Sequence, residues 1–195
     1  MLGIFLDIES NGLNYFKHRV LEIAFRCIDL LTGEEKASFN AIVRQNSDIW
    51  EKSDLTSLKI NGFTYDLIAN GKPEEEVKEE IVKVLTHLQI DRKNAVFLCQ
   101  NPSFDRIFFS QIIDPDLQEL LHWPYHWLDL ASMYWATSLK KAKEENSAFP
   151  WETGYSKDQI AQNLSLAVEQ KPHRAMNGVD HLIYCYKELV GFPYY

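Results

Sequence analysis

No stretch of this chain reaches the roughly 18 consecutive apolar residues that a membrane-spanning helix needs. The N-terminus lacks the basic leader of a secretory signal, and Asp7 and Glu9 interrupt its apolar run. Cysteine is scarce. Cys27, Cys99 and Cys185 form an odd, scattered set in apolar segments, with no CxxC pair to hold zinc. Buried free thiols in a reducing, cytoplasmic setting are the expectation. Positive charge is also short, with 20 Lys and Arg against 28 Asp and Glu and a net charge of −8. That balance argues against a protein that grips long duplexes, because such affinity comes from basic residues. It is compatible with acidic residues offset by bound cations, acting on a substrate with few phosphates. Repeats and low-complexity tracts are absent too, and the 195 residues suit one domain, 1–195, with a sizeable core.

What is present reads as alternating strands and helices. Residues 2–8 and 20–30 are apolar enough for buried strands, and Thr32-Gly33-Glu34 reads as a hairpin turn into a third strand over 37–44. A short helix over 53–60 ends at Asn61-Gly62. Pro73 and three glutamates open a longer helix that runs to about residue 89. NAVFLCQ (94–100) is a buried strand, and Pro102 and Ser103 open a helix carrying Phe104 and Asp105. Residues 126–139 pass from a short strand into a helix, and 140–155 read as a polar surface loop. Ser156 and Gln159 form a capping-box pattern for a helix to about 164. The last helix is expected from near Asn177 to Val190. The result is a mixed α/β sheet flanked by helices.

The chemistry is concentrated in a few carboxylates. Alternate residues of a strand share a face, so Asp7 and Glu9 point the same way. Asp105 opens a helix directly after a strand, at the sheet edge where ligands commonly bind. His173 and Asp180 lie in KPHRAMNGVDHL. Singly, each has an ordinary role as a solvated face, a dipole partner or a cap. Together they are the set that an oxygen-ligated two-metal phosphodiesterase site requires. The cluster His122, Trp123, Tyr125, His126 and Trp127 is expected to pack rather than stack on bases. Arg174 is a candidate phosphate contact, and Lys140, Lys141 and Lys143 read as a solvated helix end.

In order and spacing, DIESNGL, NPSFD and HRAMNGVD resemble the three motifs of the DEDDh 3′→5′ exonucleases, across residues 7–180. The resemblance implies a ribonuclease H-like fold with a mixed five-stranded sheet and two Mg²⁺ or Mn²⁺ ions. It implies that Asp7, Glu9, Asp105 and Asp180 are metal ligands and that His173 is the general base. It further implies that Asn11, Gly12, Leu13, Asn101 and Phe104 contact or shape the place of the substrate's 3′ end. The expected activity releases nucleoside 5′-monophosphates from single-stranded or short nucleic acids. The alternative is a weakened module that binds nucleic acid or assembles complexes. A homodimer is also expected, and the end of the chain soon after its last helix favours a freestanding enzyme over a proofreading subunit.

Two positions depart from the family pattern. Asn11 stands where Thr is usual, and Gly178 stands where the last carboxylate is expected, five positions after His173. On a continuous helix, a two-residue displacement to Asp180 turns the side chain by roughly 200°. Asp180 therefore serves only if Asn177-Gly178 forms a turn that delays helix entry; otherwise the site is degraded or uses Asn177.

Overall fold

The computed structural model describes residues 1–194. In chain order its elements are β1 (Leu2–Ser10), β2 (Val20–Asp29), β3 (Glu35–Ile42), α1 (Ser47–Trp50), α2 (Leu55–Asn61), α3 (Tyr65–Ala69), α4 (Glu74–His87), β4 (Ala95–Cys99), α5 (Pro102–Ile112), α6 (Pro115–Leu120), β5 (Trp127–Asp129), α7 (Leu130–Glu145), α8 (Pro150–Thr153), α9 (Lys157–Asn163) and α10 (Ala175–Leu189). The five strands form one sheet in the order β3-β2-β1-β4-β5. Strand β1 pairs antiparallel with β2 and parallel with β4. No helix among the described residues is long and apolar enough to cross a membrane.

Each face of the sheet has its own core. Ile4, Leu6 and Ile8 join Phe97, Phe108 and Phe109 on the side covered by α4 and α5. Phe5, Ala24 and Leu98 join Ile160, Val179 and Leu182 on the side covered by α7, α9 and α10. The alternation of β1 therefore puts Asp7 and Glu9 on the α10 side. All three cysteines are free and buried. Trp123 is buried, and Trp127 stacks on Phe97 with ring centroids 4.1 Å apart, so both tryptophans serve as packing groups.

Two boundaries differ from the sequence reading. Residues 140–145 continue α7 rather than forming a loop, and 150–153 form α8. The segment LKKAKEE is polar but rich in strong helix formers, and Ala142 anchors it by burial. Helix α10 begins at Ala175, ahead of the Asn177-Gly178 pair. A side chain from the sheet explains the early start. Buried Glu22 accepts the Ala175 N–H at 2.8 Å and the Arg174 Nε–H at 3.0 Å, capping the helix from β2. The same contacts remove Arg174 from phosphate duty; its guanidinium is committed to Glu22 and lies over the Phe63 ring.

Phe97 is fully buried between Phe109 and Trp127 in the centre of the sheet. Phe97→Ala is expected to lower unfolding stability by about 3–5 kcal/mol in urea titration. A loss below about 1 kcal/mol would mean that this core does not carry the fold.

Candidate active site

The site grows from the C-terminal ends of β1 and β4. Asn101 caps α5 in a left-handed conformation (φ 60°), its N–H bonded to Asp129 Oδ1 at 3.1 Å and its Oδ1 accepting from Ser103 Oγ at 2.6 Å. This turn swings Asp105 back over β1. The pairing of β1 with β4 ends at Phe5↔Leu98. Beyond it, the Ile8 N–H donates to Asp105 Oδ1 at 3.2 Å, and Asp105 is only 3% exposed. His173 enters just before α10, held by a bond from its N–H to the Ile60 carbonyl at 3.2 Å. Asp7, Glu9, Asp105, His173 and Phe104 line one open cavity of about 270 Å³, with Gln100, Lys157 and Glu169 among the other walls.

Asp180 is not part of this cavity, which corrects the expectation for the fourth carboxylate. Because α10 starts at Ala175, no turn intervenes, and the residue stays rotated away. Its carboxylate pairs with Arg26, Oδ1 at 2.6 Å from Nε and Oδ2 at 3.2 Å from Nη2. Asn177 does not replace it; with Asp180 it lines a neighbouring cavity that also includes His181 and Tyr184. Gly178 is the α10 residue that faces Asp7. A Cβ at that position would overlap the Asp7 carboxylate, so the helix backbone packs directly against the strand's acid.

The remaining expected contacts divide into framework and surface. Asn11 is fully buried and structural; its amide donates to the Ile49 carbonyl and Ser53 Oγ, both at 3.0 Å, and accepts from the Arg19 N–H. Gly12 lies against the His18 ring, which leaves no space for a side chain. Leu13 is 78% exposed beside these turns, an apolar group without a packing partner in the core. Phe104 is half-buried against Phe108, with one edge on the cavity.

Two functional candidates escaped the sequence reading. Lys157 Nζ lies 3.3 Å from Asp7 Oδ1 and 2.8 Å from Glu169 Oε2. Glu169 Oε1 is 3.6 Å from His173 Nδ1. Neither residue belongs to a recognisable motif. The only linear hint was that Lys157 opens the capped helix α9. Glu169 also approaches Asp158 and His181, one donor atom from each lying within 4.8 Å of the others.

Four carboxylates around one ammonium leave an excess of negative charge. Burial raises the pKa of Asp7 and, more strongly, of Asp105. Burial and the neighbouring Asp7 push Glu9 up to about 8. Burial opposes the charge of Lys157, but Asp7 and Glu169 outweigh it and hold the ammonium above the ordinary lysine value. In metal-free protein the folded state thus retains a Glu9 proton that the unfolded chain releases near its ordinary 4.5. That stabilisation is present at low pH and is lost as pH rises towards 8. The melting temperature of metal-free protein should fall between pH 5 and 8, and Glu9→Gln should flatten the fall. An identical pH profile in the variant would show that this carboxyl is not desolvated.

Neither a family model nor a curated protein sequence matches the chain. Solved structures do. Cell-death related nuclease 4 superposes with a TM-score of 0.73 at 14% identity, covering 97% of this chain and 63% of that one. A zinc-bound complex of E. coli exonuclease I with single-stranded DNA gives 0.68 at 16%, covering 97% and 40%. The nuclease domain of 3′hExo, a DEDDh family member bound to rAMP, gives 0.68 at 13%, covering 98% and 94%. The chain thus spans less than two thirds of the length of each of the first two. Its mixed five-stranded sheet and flanking helices are the ribonuclease H-like fold of the DEDDh 3′-exonucleases.

Proposed function

We propose that the cavity binds the 3′ end of single-stranded nucleic acid and hydrolyses its terminal phosphodiester bond with the help of a divalent cation. The observation that carries this reading is the convergence of Asp7, Glu9, Asp105 and His173 on one open cavity. The desolvated carboxylates of Asp7, Glu9 and Asp105 fit a hard cation such as Mg²⁺ or Mn²⁺, because such an ion supplies the charge that burial withholds. The bound ion would supply charge stabilisation at the scissile phosphate. Asp180, the ligand expected to complete a second ion's site, is paired with Arg26 instead.

In this reading His173 takes the proton from the attacking water, and Glu169 steadies the ring through Nδ1. Phe104 and the exposed Leu13 offer apolar surface to the terminal bases, a form of contact that tolerates any sequence. The zinc- and DNA-bound exonuclease I and the rAMP-bound 3′hExo domain support such a ligand.

A second reading, binding without turnover, is favoured by the Lys157 ammonium beside Asp7. Single-stranded RNA and DNA oligonucleotides labelled at the 5′ end separate the two. The enzyme should produce a ladder shortening one nucleotide at a time in Mg²⁺ or Mn²⁺. Retained binding with intact oligonucleotide would assign the module instead. Asp7→Asn should lower the rate by at least about a hundredfold, whereas Asp180→Asn should leave it within about twofold of wild type. Equal losses in both variants would return Asp180 to the site.

A further inference from the structure

Lys157 opens α9, whose cap is closed reciprocally by Ser156 and Gln159. Its side chain is 13% exposed and reaches three oxygens of different origin. These are Asp7 Oδ1 on β1 at 3.3 Å, the Gly178 carbonyl on α10 at 3.4 Å and Glu169 Oε2 from the connecting loop at 2.8 Å. The Glu169 carboxylate is 1% exposed and accepts no hydrogen bond of ordinary geometry, so the ammonium is its closest counter-charge. A strand carboxylate, a helix carbonyl and a loop carboxylate gathered round one positive charge are an oxygen cage for a cation. Here the cation is part of the chain. Gly178 makes the cage possible, because any side chain there would meet Asp7 in the same space.

We propose that the Lys157 ammonium is a built-in counter-ion that occupies one side of Asp7, so that the acidic cluster admits a single divalent ion on the Glu9–Asp105 side. This rests on reading the cavity as a cation site. Asp7 is the shared ligand; a divalent ion on its Lys157 side would have to displace the ammonium or sit against it, and the repulsion excludes it. Lys157 also orients the Asp7 carboxylate through its 3.3 Å contact with Oδ1 before any metal arrives. It is a positioning residue.

The test is a calorimetric Mn²⁺ titration of the full chain without nucleic acid. Wild type should bind one ion. Lys157→Met should bind a second ion, or bind its single ion at least about tenfold more tightly. Lys157→Arg should behave as wild type. Lys157→Gln serves the same purpose as the methionine variant if that variant does not fold. Two ions in wild type, or variants unchanged in both stoichiometry and affinity, would overturn the proposal. A wild type that binds one ion but cleaves no oligonucleotide removes the hydrolytic reading and leaves this one standing. A wild type that binds two ions and cleaves does the reverse.

Discussion

The site depends on the contact between Asp7 and its surroundings at the point where α10 crosses β1. Asp7 sits on the strand face that also carries Phe5, the Gly178 backbone lies against it, and the Lys157 ammonium is its nearest counter-charge. A carboxylate in this position is stable only if positive charge or a proton accompanies it. The fold provides the first of these from α9. The same arrangement brings Glu169 and His173 to the rim, because Lys157 reaches Glu169 and Glu169 reaches His173. The contacts from Asp7 through Lys157 and Glu169 to His173 therefore tie the acidic floor of the cavity to the loop before α10.

A second constraint sets the position of that loop. Glu22 on β2 caps α10 and binds Arg174, so the helix begins where the sheet dictates. Local sequence would have preferred a break at Asn177-Gly178. Tertiary capping overrides that preference and keeps Gly178 facing the strand. The outcome is an acidic site of three motif carboxylates plus Glu169, with the lysine placed among them.

Much of this was legible from residues alone. Strand alternation placed Asp7 and Glu9 on one face, and the strand-to-helix junction at Asn101-Pro102 aimed Asp105 at the same sheet edge. The Ser156/Gln159 box marked the start of α9 correctly. Two things could not be read locally. The start of α10 is decided by a glutamate 153 positions away, which no helix-propensity rule weighs. Lys157 and Glu169 acquire meaning only through proximity to Asp7, and a lysine after a capping serine carries no sign of that. The stretch through 145 failed for a different reason. Its polarity suggested a loop, yet Lys, Ala and Glu are good helix formers, and a single buried alanine suffices to dock them.

Gly178 has a consequence for how such a site can change over time. With the helix axis resting on the Asp7 carboxylate, an aspartate at 178 has nowhere to put its first carbon. Placing an acid there would require the Asp7 side chain, or the helix that lies on it, to move first. A side chain at 178 and the present position of the Asp7 carboxylate therefore exclude each other.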